Sequence, residues 1–144
     1  MQSILDIKQK LEDQARNELA QAQLALNEEE EKKRRLIERQ AAYEAEGVEL
    51  RKKVLNVRDL NENTNAVLVL KDMVRRQELE ITKARTVLEQ RRAALAQVMQ
   101  ERKMHEKLKE KALEQFLEEE KALEAKAIDE LTSFTHGARR PDDE

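Results

Sequence analysis

The sequence predicts an all-α protein: two long helices forming an antiparallel coiled-coil hairpin, with the second helix longer than the first. Of its 144 residues, 41% are charged and 2% are aromatic, a composition typical of coiled coils. Glycine occurs twice and proline once, too rarely for the turns of a sheet protein. Apart from the two ends, only the asparagine-rich residues 60–65 favour a reversal of the chain.

That stretch divides one hairpin domain, residues 1–136, into unequal arms. We expect the first helix over about residues 3–59, the turn over about 60–65 and the second helix over about 66–135. Asparagine tolerates the left-handed conformation that ends a helix, and both Asn and Thr cap the start of the next one. The residues that supply this chemistry are Asn61, Asn63, Thr64 and Asn65. Residues 137–144 are expected to form a flexible polar tail.

The first arm shows two apolar faces with a charged stretch between them. Residues 27–35 contain no apolar side chain, and each glutamate of residues 28–31 stands four residues before a lysine or arginine. Such pairs stabilise a helix by about 0.2–0.5 kcal/mol each, so a solvated helix face is predicted here. The two apolar faces are Ile4, Ile7, Leu11, Ala15, Leu19, Ala22 and Leu26, and Leu36, Tyr43, Leu50, Val54 and Val57.

The second arm carries a clearer coiled-coil seam, with steps of three and four residues and eight apolar side chains in ten positions. Its members are Val67, Leu70, Val74, Gln77, Ile81, Ala84, Leu88, Arg91, Leu95 and Val98. The same register would continue to Arg102, His105 and Lys109, whereas apolar residues resume at Leu108. We therefore predict a change of phase between about residues 99 and 107.

A turn near residue 62 makes the numbers of facing residues sum to about 125. Leu50 would then meet Val74, and Leu26 would meet Val98. From about Glu124 the second helix would extend past the first. The side chains left without a partner in the hairpin would be Ile128, Leu131 and Phe134, which are either docking residues or part of a frayed end.

No pattern in the chain predicts catalysis. The absence of cysteine excludes disulfides and thiolate metal sites, and His105 lacks the second histidine of a zinc-protease helix. A two-helix rod cannot desolvate a carboxylate pair enough for acid–base chemistry. We expect no enzyme, cofactor, metal or small-molecule substrate. Since no continuous basic region precedes the seam, no nucleic acid is expected either. No apolar run reaches the ~20 residues that span a bilayer, so a cytoplasmic chain is expected.

The final third carries a basic pair at residues 102–103, the run His-Glu-Lys-Leu-Lys-Glu-Lys at 105–111, a lone Phe116 and the segment Ile-Asp-Glu-Leu-Thr-Ser-Phe at 128–134. Together with the opening residues 1–8, this ordered series closely resembles the FliJ family of the flagellar type III export apparatus. The helix–loop–helix layout and the total length also agree, so the resemblance spans nearly the whole chain.

The resemblance implies a soluble antiparallel coiled coil, similar to the stalk helices of rotary ATPase γ subunits. In FliJ-family proteins, the end of the hairpin that carries both termini is thought to enter the pore of a hexameric export ATPase. The family also contacts the cytoplasmic domain of a membrane export-gate protein and handles export chaperones. The implied role is a stalk and chaperone that couples the ATPase ring to the gate and assists delivery of export substrates, peripherally at the membrane of the flagellar base.

By motif order, the resemblance implies two partner-binding patches. The ring-facing patch would comprise Arg102, Lys103, Glu106, Lys109, Ile128, Leu131 and Phe134. The gate-facing patch would comprise Leu36, Arg39, Tyr43, Leu70 and Val74. Each of these residues could instead be ordinary helix surface. The competing functions are a generic coiled-coil scaffold or homodimer, in which both arms run on as one rod, and the stalk of a virulence type III secretion system.

Overall fold

The computed structural model describes residues 3–138 as a hairpin of two helices, α1 (Ile4–Lys52) and α2 (Val57–Ala138). Ser3 caps α1: its hydroxyl accepts a bond from the Asp6 backbone N, and the Asp6 carboxylate accepts one from the Ser3 backbone N. At ~1.5 Å per residue, α1 is about 74 Å long and α2 about 123 Å. The predicted antiparallel hairpin with a longer second helix is confirmed, and the single extended rod is excluded.

The turn lies at residues 53–56, so its predicted position at 60–65 is wrong. Asn56 starts α2, because its Oδ1 accepts bonds from the backbone N atoms of Arg58 and Asp59, at 3.1 and 3.4 Å. Residues 60–65 lie inside α2, where packing against α1 outweighs the weak helix propensity of asparagine. In the predicted tail, Gly137 and Ala138 are helical, and residues 139–144 lie outside the described range.

A single continuous seam runs along α1 in steps of three and four residues, and it does not lapse in the charged stretch. Its half-buried and buried members are Leu5, Lys8, Glu12, Ala15, Leu19, Ala22, Leu26, Glu29, Lys33, Leu36, Gln40, Tyr43, Gly47 and Leu50. The predicted apolar face is therefore wrong at its start, where Ile4, Ile7 and Leu11 are exposed. Lys8 and Glu12 take the seam positions instead, since both find charged partners on α2.

The seam of α2 follows the prediction from Val67 to Val98, with Arg91 as its one exposed member. It also includes the half-buried Leu60 and the buried Asn63 before that range. After it, Arg102 and His105 are half-buried in the same register. The seam of α2 therefore stops opposite the N-terminal end of α1.

The early turn shifts the pairing of the two helices. The Lys8 Nζ lies 3.0 Å from the Glu101 carboxylate, and the Lys33 Nζ lies 3.4 Å from that of Glu78. The numbers of facing residues thus sum to about 110, as expected for a turn centred near residue 55. Consequently α2 extends past α1 from about residue 106, well before the predicted Glu124. The main apolar cluster joins Ala22, Leu26, Ile81 and Leu88, so Leu26 does not face Val98.

Candidate partner-binding surfaces

The paired part of the hairpin ends at an ion-pair cluster around Glu12. This side chain is buried, with 2% of the residue exposed. Arg16 Nη2 donates to its Oε1 at 2.8 Å, and Arg102 Nε donates to its Oε2. Arg102 Nη1 also donates to Glu106 Oε1 at 2.7 Å. Bonds from Arg16 and then from Arg102 hold the pKa of the Glu12 carboxyl below its usual value, although burial acts to raise it.

Arg102 is therefore a structural residue as well as a member of the predicted ring-facing patch. Its guanidinium bridges α1 and α2 through Glu12, and its pKa is raised by Glu106 and then by Glu12. Lys8 closes the same end by holding Glu101, whose pKa it lowers through a hydrogen bond. These contacts mark the boundary between the paired helices and the free part of α2.

We call residues 106–137 the overhang. Every residue in it is exposed, and it is about 48 Å long. Its large apolar side chains, each 48% to 76% exposed, are Leu108, Leu113, Phe116, Leu117, Leu123, Ile128, Leu131 and Phe134. Large apolar side chains exposed along one helix in this number typically mark an interaction site.

The predicted ring-facing residues are spread along this helix and do not form one compact site. Lys103, Glu106 and Lys109 are exposed near its base, whereas Ile128, Leu131 and Phe134 lie about 38–47 Å from Lys103 along the axis. Leu113, Leu117 and Leu123 also have no partner in the hairpin, although the predicted turn position did not leave them unpaired. The signal that could have found them is Asn56 with Asp59 three residues later, a helix-start pattern that moves the turn and lengthens the overhang.

The predicted gate-facing residues lie near the turn, and the structure brings three of them together. Arg39, Tyr43 and Leu70 line a shallow groove between the two helices. Leu36 and Val74 are half-buried seam residues outside this groove, and Leu70 is 3% exposed. The accessible apolar side chains of the groove are Val69 and Met73, which sequence reasoning did not select.

Beside the groove, α1 and α2 lie close together where Gly47 of α1 faces Asn63 of α2. Asn63 Nδ2 donates to the Tyr43 carbonyl at 2.7 Å. A Cβ placed on Gly47 would lie 2.5 Å from Asn63 Oδ1, inside van der Waals contact. Gly47 is helical and buried in α1, so it makes room for Asn63. A polar residue bonded inside a seam specifies the register of the helices.

The charged stretch of α1 is partly interface rather than wholly solvated. Gln77 Nε2 donates to the Glu29 carbonyl at 2.8 Å and also to its carboxylate. This bond is the main reason that the pKa of Glu29 is lowered. On the outer side, Arg34 lowers the pKa of Glu31 to about 2. Leu88 packs in the apolar cluster with Ala22 and Leu26, just before this stretch of α1.

Residues 3–138 contain neither a cluster of metal-ligating side chains nor a membrane-spanning helix. No group of three or more His, Asp or Glu side chains in that range converges on a position for a metal ion. Neither described helix contains a segment long and apolar enough to cross a bilayer.

Fold and surfaces together define a helical rod with a paired half and a single-helix end, a class that offers faces for protein partners. A protein-family model described as "Flagellar FliJ protein" matches residues 1–141, and the chain belongs to the FliJ family. It is therefore a helical coiled-coil component of flagellar type III protein export, which associates with other parts of that apparatus. Comparison with curated proteins and with solved structures gave no match.

Proposed function

We propose that this chain is the stalk and chaperone component that couples the hexameric export ATPase to the membrane export gate. The observation that carries the proposal is the overhang: a family member of this type presents one long helix with no internal partner and with exposed apolar side chains. Such a helix supplies binding energy only when another protein covers it.

The change in thickness along the rod suits insertion into a ring. A single helix is about 10–12 Å across, and a second helix packed at about 8–10 Å widens the rod to roughly 20 Å. The overhang would enter the pore of the ATPase ring. The Glu12–Arg102 junction, where α1 begins, would set the depth of entry.

Charge along the free helix differs from base to tip. Residues 102–111 hold five basic and two acidic side chains, whereas residues 118–130 hold two basic and six acidic ones. An asymmetric rod touches only some subunits of a ring at one time. Differential contacts of this kind would favour some subunit conformations over others and so bias ATP hydrolysis.

The groove near the turn is the candidate surface for the export gate. Val69 and Met73 offer apolar contacts there, and Arg39 offers a charge at its rim. About 54 Å of α2 separates Leu70 from the start of the overhang. One molecule could therefore contact the ring and the cytoplasmic domain of the gate together, in the cytoplasm at the flagellar base. Export chaperones would bind other exposed faces of the same rod.

The central test measures turnover and hexamerisation of the purified export ATPase with this chain. We expect Lys103→Glu with Lys109→Glu to reduce stimulation and binding at least several-fold, because both lysines are exposed at the base of the overhang. Circular dichroism should show unchanged helicity. Arg102 is unsuitable for this test, since its substitution would also open the Glu12 junction.

The matched control reverses two exposed lysines at the opposite end, Lys53→Glu with Lys71→Glu, and should stimulate the ATPase like the unaltered chain. Equal stimulation by both double variants would contradict the stalk role.

For the gate, Met73→Asp should weaken binding to the cytoplasmic domain of the gate protein. Leu24→Asp, exposed on α1 outside the groove, should not. Equal gate binding by these two variants would contradict the groove assignment.

A further inference from the structure

We propose that the overhang also pairs with the overhang of a second copy of this chain, antiparallel, about a twofold axis between residues 119 and 120. This inference goes beyond the proposed function and does not depend on it. It rests on the spacing of the exposed apolar side chains, on the point where the intramolecular seam stops, and on the length of the overhang.

The apolar stripe of the overhang reads the same in both directions. Counted from the midpoint between residues 119 and 120, its members fall at equal distances on either side. The pairs are Leu108 with Leu131, Ala112 with Ala127, and Phe116 with Leu123. A twofold interface must be self-complementary, with residue i meeting j and j meeting i. Antiparallel pairing about this midpoint places the two members of each of these three pairs opposite one another, whereas Leu113, Ile128 and Phe134 lie outside the pairs.

The middle of this stripe continues the seam that α1 covers. His105 is the last half-buried residue of α2, and the alternating steps of four and three residues that follow it reach Ala112, Phe116 and Leu123. Leu108 stands one residue before the register position at Lys109. Beyond α1, the middle of the overhang therefore presents a surface in phase with the one that already binds a helix. A second overhang would pack against α2 beyond residue 105 in the way that α1 packs against α2 in the paired half.

The lengths of the helices favour antiparallel over parallel pairing. In an antiparallel pair, residue 137 of the second copy lies opposite residue 102 of the first, so the overhang of the second copy overlaps the N-terminal end of α1 by only about one turn. In a parallel pair, the α2 helix of the second copy would continue, on the N-terminal side of its overhang, into the space that α1 of the first copy fills. Parallel pairing would thus require the hairpins to separate or the helices to diverge.

Charges fix the register and limit the affinity. Antiparallel pairing sets Lys109 opposite Glu130, and symmetry produces this pair twice. At the axis, Glu119 and Glu120 of both copies lie close together, and such like charges are unfavourable. A polar group at the centre of a coiled-coil interface specifies register at a cost in stability. We therefore expect a reversible dimer that dissociates before the overhang binds another protein.

The first experiment uses disulfide cross-linking of the full chain, which has no cysteine of its own. Glu119→Cys should cross-link to itself on oxidation, because its two copies lie beside the axis. Leu131→Cys alone should not, since its copies are about 35 Å apart along the helices. A mixture of Leu108→Cys and Leu131→Cys should give the mixed dimer. Self-linking of Leu131→Cys, or no linking by either Glu119→Cys or the mixture, would overturn the proposal.

The second experiment measures association by sedimentation equilibrium. Phe116→Asp should abolish the dimer at protein concentrations where the unaltered chain forms it. The control, Leu117→Asp, changes an equally apolar neighbour that lies off the stripe, and it should retain most of the association. Glu119→Gln with Glu120→Gln should tighten the dimer several-fold. Equal association by the Phe116 and Leu117 variants, or weaker association by the double glutamine variant, would count against this interface.

Discussion

The paired half of the rod and the overhang differ in what fills the interface position of the helix. In the paired half, polar side chains such as Glu12, Glu29 and Asn63 occupy the seam, and each bonds to a group on the other helix. In the overhang, the corresponding stripe includes Phe116 and Leu123, which stay exposed. The comparison shows that apolar periodicity alone does not reveal which part of a helix is covered. The position of the turn decides that.

The largest expected contrast between the two regions is in hydrogen exchange. Backbone amides in the paired parts of the helices, residues 12–50 and 60–105, exchange only when the hairpin opens, whereas the overhang frays as a single helix held by little besides local bonds. We expect protection in the core of the paired half to exceed that in the overhang by about a thousandfold or more in dilute protein. Mass spectrometry of peptides from both regions measures this. Equal protection at every concentration would contradict the boundary near residue 106, and a rise with concentration confined to the overhang would indicate self-pairing.

Truncating one leucine in each region should lower the free energy of unfolding by different amounts. Leu26→Ala removes a buried side chain from the main apolar cluster and should lower the free energy of unfolding by about 2–3 kcal/mol. Leu117→Ala, on the exposed overhang, should change it by less than about 0.5 kcal/mol. Urea unfolding followed by circular dichroism gives both values. A similar loss for the two variants would mean that the overhang is packed in solution.

The two glycines offer a sharper comparison. Adding a methyl group usually stabilises a helix by about 1 kcal/mol, but at Gly47 the new Cβ would meet Asn63. We expect Gly47→Ala to destabilise the hairpin by about 1 kcal/mol, because Asn63 must leave the Tyr43 carbonyl. Gly137→Ala, with open space around it, should leave the melting temperature unchanged.

Adding Asn63→Ala to Gly47→Ala should recover part of the loss, since the pair is coupled through one contact. Strict additivity in a double-mutant cycle would show that the two residues do not interact as the structure indicates.

The smallest effect concerns pH, because most of the carboxylates involved are partly solvated. The pKa values of Glu12, Glu29, Glu31 and Glu101 all lie below the ordinary 4.5, and that of Glu31 is about 2. A lowered pKa in the folded state contributes stability that is fully present above pH 4.5 and is lost as pH falls through the folded value. Thermal melting should therefore be flat from neutral pH to about 5 and should decline between about 4.5 and 2. A rise in melting temperature over that interval would reverse the expected sign.

The fold class and the seam of α2 could be predicted because long runs without glycine or proline allow little besides helix, and because apolar steps of three and four define one face. The turn could not be placed correctly from turn-forming residues alone. Asn61, Asn63 and Asn65 outnumber Asn56, yet only Asn56 sits where an acid follows three residues later, and packing keeps the others helical.

Errors in the candidate surfaces follow from that one displacement. With the pairing shifted, Glu12 meets Arg102, so a residue expected to face a partner holds the hairpin together. The exposure of Ile128, Leu131 and Phe134 was predicted correctly, because either turn position leaves them beyond the end of α1. The Gly47–Asn63 contact was beyond sequence reasoning, since it depends on which turn of α1 faces which turn of α2.

The unbroken course of α2 has a mechanical consequence. It passes from the paired half to the overhang as one uninterrupted helix, Val57–Ala138, without a proline in its span. Resistance to bending rises steeply with cross-section, so bending will concentrate in the overhang, just after residue 106. A twist about the helix axis applied at Phe134 can still pass through the continuous backbone of α2 to the turn. The overhang is therefore the flexible end of the molecule, and the paired half is its stiff part.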